Sequence, residues 1–140
     1  MSYDGDRIAF YTELNTTWGD TTPIRFDFIQ EDDQITKQKE PWIHCNIKHT
    51  DTQQANMGVT NVLDRTPGMF LIDIYNRQEK GIAQILKYAD TLKTAFMGKS
   101  LNSGSIRVIK ISILDREPYM GWISKRVLIH FESEDYVART

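Results

Sequence analysis

Apolar and polar residues along the chain follow two periods, and the switches between them divide it into elements. Ile24-Arg25-Phe26-Asp27-Phe28 alternates apolar with charged residues, which predicts a half-buried strand. Pro41-Trp42 opens a second strand, with Ile43, Cys45 and Ile47 on one face and Trp42, His44, Asn46 and Lys48 on the other. Gly68 to Asn76 reads as a third. Phe70, Ile72 and Ile74 line one face, and Met69, Leu71 and Tyr75 make the other partly apolar, so its place is central in a sheet. Ser105 to Leu114, dense in isoleucine and valine, predicts a fourth strand. Trp122 to Glu132 predicts a fifth, with Ile123, Val127, Ile129 and Phe131 set against Ser124, Arg126, His130 and Glu132.

Two segments carry the longer period. Ile8, Tyr11 and Leu14, with Phe10 beside them, make an apolar stripe at helical spacing. Asp4 is placed to cap this helix, and Tyr3 and Ile8 to form a hydrophobic staple around it. Gly19 and Pro23 punctuate its end. Ile82, Ile85, Leu86, Ala89, Leu92 and Phe96 form the stripe of a second helix, with Gly98 at its C′ position. The connectors are unequal in length. Residues 31–40 are charged and without period, and residues 50–66 are polar and long for a compact domain. The latter reads as a projecting loop or a hairpin arm around Asn56-Met57-Gly58. The tail after Glu132 is polar. The expected fold is α+β: a single domain over 1–140, with a mainly antiparallel sheet of four to five strands, two helices, and the order α-β-β-β-α-β-β. The long loop or arm falls between the second and third strands.

Composition narrows the class further. At 140 residues the chain suits one domain, burying roughly 68–70% of its unfolded surface. Net charge is −2 and the pI is near 5.9, so no overall basic field recruits nucleic acid. One cysteine, Cys45, excludes an internal disulfide framework. The first residues are acidic rather than secretory in character, and the apolar runs are far shorter than a membrane span. A soluble protein made in the cytoplasm is expected.

Candidate chemistry is sparse. His44, Cys45 and His49 are the only clustered soft ligands. On a strand, His44 and Cys45 point to opposite faces, and Cys45 lies about 13 Å from His49, so the spacing fails for zinc. Cys45 has no helix N-terminus to activate it, and no G-x-S-x-G elbow is present. Asp73 followed by Glu79 and Lys80 raises a metal-dependent nuclease, but such chemistry wants acid and lysine alternating on one strand face. The RQEKG junction, Arg77 to Gly81, has a single glycine and an opposing carboxylate. It therefore reads as a corner between strand and helix rather than a phosphate cradle. The lysines of the second helix form a solvated face. Trp18 and Tyr119 fall in predicted loops or turns, which makes them candidates either for a protein interface or for the domain's own core. No cofactor, metal or catalytic residue is assigned.

The order of elements, with DGDRIAFYTELNTTW, IRFDFI, the Pro-Trp strand opening, DRTPGMFLIDIY, RQEKG and YADTLKTAF, resembles the tail terminator proteins of long-tailed bacteriophages. The particular echoes are Arg65, Gly68, Gly81, Ala89-Asp90 and Phe96. Such proteins form a ring, commonly a hexamer, that caps the finished tail tube, stops its polymerisation and offers a docking surface to head-completion or neck proteins. The resemblance implies a non-enzymatic virion protein at the head–tail junction, assembled in the host cytoplasm. Its partners would be further copies of itself, the tail tube protein and a neck protein, with genome DNA passing through the hole unbound. Three other readings remain open: a head-closure or neck connector protein, a small metal-dependent nuclease or hydrolase, and a monomeric binding module acting through its aromatic residues. The candidate interface residues are Trp18, Asp51, Gln53, Asn56, Met57, Asn61, Arg65, Arg77, Glu79, Lys80 and Tyr119, with the 31–40 loop as a further contact region.

Overall fold

The computed structural model describes residues 3–19, 21–26, 41–50, 53–57, 61–101, 104–118 and 121–138; for 3, 53–57, 61–64 and 135–138 it describes the backbone alone. Within these the elements run α1 (Tyr3–Trp18), β1 (Ile24–Phe26), β2 (Trp42–His49), β3 (Gln53–Met57), β4 (Asn61–Arg77), α2 (Ala83–Phe96), β5 (Ser100–Leu101), β6 (Ile106–Asp115) and β7 (Trp122–Ala138). A 3-10 turn, Gln78–Lys80, joins β4 to α2.

The fold is α+β with two helices, as the periodicity predicts, but the sheet has seven strands among the described residues. Six follow in the order β1-β2-β4-β7-β6-β5, and β3 lies beside β4 off that path. The two additional strands are β3 and the two-residue β5. The sheet is mixed because β1 runs parallel to β2, while every other pairing is antiparallel. β4 is central, between β2 and β7, as its two apolar faces require.

The long polar segment is the hairpin arm. β3 pairs with residues 62–65 of β4, with a bulge between Gln54 and Asn56. The polar tail is a correction: β7 does not stop at Glu132 but continues to Ala138, pairing with β4 back to Asn61. Its sequence hid this because residues 133–138 do not alternate apolar with polar, and the strand shows only in its pairing with β4.

Helix α1 places Phe10, Leu14 and Trp18 at four-residue intervals on the sheet, with Tyr11 beside them. The Phe10 ring is the meeting point of the core, with centroids 4.6 Å from Phe131, 4.9 Å from Phe70 and 6.1 Å from Phe96. Burying each such ring contributes about 1.5–3 kcal/mol. Ile8 departs from the predicted staple and is 52% exposed, because the buried row starts from Asp6 rather than Ile8. Asp6 accepts hydrogen bonds from His49 Nε2 and Ser133 Oγ, both at 2.9 Å, and so ties α1 to β2 and β7. Helix α2 buries Ile85, Ala89, Leu92 and Phe96. Ile82 and Leu86, expected in the same stripe, are exposed, since one row at spacings of four and three suffices to seat the helix.

Gly68 marks a close approach. A Cβ there would lie 2.5 Å from Phe131 Cζ and 2.8 Å from the Lys48 carbonyl oxygen. The ring can shift, but the backbone oxygen is fixed by the β2–β4 pairing. Gly68→Ala is therefore expected to destabilise the fold by about 1–3 kcal/mol through overpacking. A lowered urea midpoint with unchanged slope checks this, and an unchanged midpoint refutes the close approach.

Candidate functional site

The predicted interface residues separate into two groups at the two ends of β4. At one end, β4 and β7 run on beyond the last β2–β4 pair, His49 with Gly68; β6 follows β7 as far as Ser133, and past it β3 is the one further strand beside them among the described residues. The resulting three-stranded arm extends on the order of 20 Å at the usual strand rise. Gln53, Asn56, Met57 and Asn61 lie on its strands, while their side chains, like all of Asp51, fall outside the described residues. Arg65 stands at the root of the arm. Its Nη2 is 3.1 Å from Glu134 and its Nε 3.6 Å from Glu132, and Arg107 Nη2 lies 3.3 Å from each of the same two carboxylates. Singly such half-exposed pairs are worth little, but as a network across β4, β7 and β6 they stiffen the junction of arm and body.

At the other end lie Arg77, Glu79 and Lys80. The RQEKG segment forms the expected corner: β4 ends in the 3-10 turn, whose Gln78 amide donates to the Gly121 carbonyl at 2.9 Å. Gly81 follows with φ 79° and ψ −175°, a backbone region open essentially to glycine. Glu79 and Lys80 are exposed. Arg77 lies over the Trp122 ring at 4.5 Å. Tyr119 and the 31–40 loop fall outside the described residues.

Trp18 is a correction. It is the last residue of α1, not part of a loop, and is 2% exposed. Its ring meets Tyr88 edge-on at 5.1 Å and its Nε1 donates to Thr22 Oγ1 at 2.9 Å. The helix runs on through Thr16 and Thr17 to stop at Gly19, which turns Trp18 inward and leaves it no surface for a partner.

The sheet face away from the helices holds a polar cluster that periodicity did not reveal. Asp73, 3% exposed, receives Arg126 Nε at 2.8 Å, Arg126 Nη2 at 3.1 Å and Arg116 Nη1 at 2.6 Å, with His44 Nδ1 3.9 Å away. Burial pushes the Asp73 carboxyl up, but His44, the Arg126 hydrogen bonds and the charges of Arg116 and Arg126 outweigh it and hold it below the ordinary range. Tyr75 is raised by burial and by the Asp73 charge. The hydrogen bond to Asp73 raises Arg126 in turn. Beside this net, Tyr75 stacks on Trp42 at 4.2 Å and 7°, Trp122 meets Trp42 edge-on, and Arg25 caps Trp42 at 5.0 Å. The signal for the cluster was present: an acid between Ile72 and Ile74 in a central strand must find cations.

The structure shows where the residues considered for nuclease or hydrolase chemistry lie. Both oxygens of Asp73 are held by guanidinium groups, and Glu79 sits on an exposed turn beyond the end of its strand. Cys45 Sγ lies buried beside the Arg25 carbonyl on the face opposite His44, and His49 is engaged by Asp6. No group of three or more His, Cys, Asp or Glu able to hold a metal occurs among the described residues, and none of their helices is long and apolar enough to cross a membrane.

No family model and no curated protein matches the chain. The solved structures similar to it include one whose designation states no function, at 17% identity, with a TM-score of 0.67, over 98% of this chain and 99% of that one. At that identity the likeness shows a shared fold and nothing more.

The lowered carboxyl of Asp73 ties stability to pH. A carboxylate whose folded pKa lies below its unfolded value stabilises fully above the unfolded value, near 3.8, and loses that contribution as pH falls through the folded one. Asp73→Asn is expected to cost on the order of 2 kcal/mol at pH 7. It should also flatten the acid limb below about pH 4. Urea midpoints from pH 2 to 7 test both, and parallel wild-type and variant profiles would refute the assignment.

Proposed function

We propose that the chain is a structural protein of phage tail assembly, a ring-forming terminator that caps the tail tube and presents a surface to the neck. One observation carries the reading most strongly. β4 runs without interruption from a projecting arm at Asn61 to an exposed charged corner at Gln78–Lys80, so the two groups of candidate contact residues stand at opposite ends of the body. A cap between tube and neck needs two separate contact surfaces on one rigid frame. The antiparallel pairing of β4 with β7 over seventeen residues supplies such a frame.

Two further features support it. The arm is paired on the backbone and braced at its root by Arg65, Arg107, Glu132 and Glu134, so it suits presentation of a fixed contact surface. The net charge of −2 suits a passage through which DNA moves without being gripped, because each phosphate bound by lysine or arginine adds salt-dependent affinity.

Electron microscopy of particles lacking the protein is the decisive test. Tails of abnormal length, with heads and tails unjoined, are expected; normal joined particles would overturn the reading. A deletion of residues 52–63 should leave far-UV circular dichroism and the melting transition of the body close to wild type while removing assembly on tail tubes. Undiminished assembly would exclude the arm from the contact.

A further inference from the structure

A sheet that stops at an open edge leaves backbone amides and carbonyls ready to pair, and folded monomers blunt such edges with charge, proline, bulges or short strands. Two edges of this sheet are short: β1 has three residues and β5 has two. Two others are long. On the side away from β7, β6 is covered by β5 only at Ile106 and Arg107, with a further backbone bond from Val108 to the Lys99 carbonyl. From Ile109 to Asp115 no strand lies beside that edge among the described residues. On the side away from β4, β3 likewise has no strand partner among them.

Both edges are only partly protected, each by one bulge. β3 reads Gln53-Gln54-Ala55-Asn56-Met57, without a charge or a proline. The open stretch of β6 has one bulge, between Val108 and Lys110, yet it exposes Ile109 (56%), Ile113 (39%) and Leu114 (44%). The two edges also match. Five residues of β3 fit within the seven from Ile109 to Asp115. Lys110 has no ion-pair partner among the described residues, and Asp51 lies two residues before β3 in the sequence while Asp64 pairs with its Gln54.

We propose that β3 of one copy pairs with the β6 edge of the next, so that the sheet continues from subunit to subunit. β3 borders the β2 side of β4 and β6 lies beyond β7, so the two edges are on opposite sides of the same sheet. Joining them leaves the second copy's own β3 free for a third, which makes the contact head-to-tail rather than two-fold. Main-chain pairing supplies the affinity, and the apolar side chains of β6 together with Lys110 fix the register. The inference deepens the ring reading and rests on it only for closure, since head-to-tail contacts close into a ring or run on as a filament.

Single-cysteine variants test the contact, and Cys45 is fully buried and so silent to the reagent. Asn56→Cys and Ile113→Cys proteins, mixed and treated with a short bis-maleimide, are expected to give a cross-linked dimer. Neither protein treated alone should do so. A second variant, Ile109→Lys with Ile113→Lys, changes only exposed positions. It should keep the wild-type melting temperature and require at least tenfold more protein to assemble, by light scattering after size exclusion. If wild type forms rings but the mixture yields no cross-link and the lysine variant assembles normally, the edge contact is overturned and the ring reading stands. If the mixture cross-links but micrographs show open filaments, the edge contact stands and the ring reading falls. A wild-type protein that stays monomeric at all concentrations and beside tail tubes overturns both.

Discussion

Between Asn61 and Arg77 each residue of β4 faces one of β7, from Ala138 to Trp122, with no break in register. That ladder fixes both halves of the molecule. In the body it sets Phe70, Ile72 and Ile74 beside Val127, Ile129 and Phe131, giving the helices one continuous apolar floor. Beyond the body it becomes the stem of the arm. A slip of one residue would send every floor residue to the opposite face and bring Asp73 under the helices. The pairing of Asp73 with Arg126 and of Gly68 with Phe131 resists such a slip, the first by charge and the second by fit.

The two faces of the sheet are held by different physics. Under the helices the contacts are mainly apolar and aromatic, centred on Phe10, with polar ties from Asp6 to His49 and Ser133 and from Trp18 to Thr22. On the other face a row of cross-strand neighbours, Arg25, His44, Asp73 and Arg126, runs across four strands. Next to it lie the stacked rings of Trp42 and Tyr75 and the edge of Trp122. Arginine is the common partner there, since its planar group can both fork onto a carboxylate and lie flat on an indole. Trp42 and Trp122 on this face are almost completely buried.

What could be read from the sequence follows from where burial, rather than backbone pairing, dictates residue choice. β2, the body half of β4, α2 and the body half of β7 carry clean periods because one face of each meets the core, and their bounds fall close to the expected ones. The sequences of residues 61–66 and 133–138 do not alternate apolar with polar, so their pairing with each other left no period to read. Trp18 was legible as unusual but not as buried, because its orientation depends on the helix running four residues past Leu14. The Asp73 cluster was legible only as an anomaly, an acid in an apolar strand, since its partners come from β7 and from the segment after β6, far along the chain.

The ladder also sets an order of events. β4 leaves the ribosome well before β7, with α2, β5 and β6 made in between. Until β7 emerges, β4 has only its neighbours on one side, and the arm lacks one of its three strands. Such long-range pairing is slow and exposes strand edges in the meantime. The arm thus becomes complete only when β7 is laid down, so a chain still lacking β7 cannot present it. Synthesis of β7 and completion of the arm are joined in one backbone pairing.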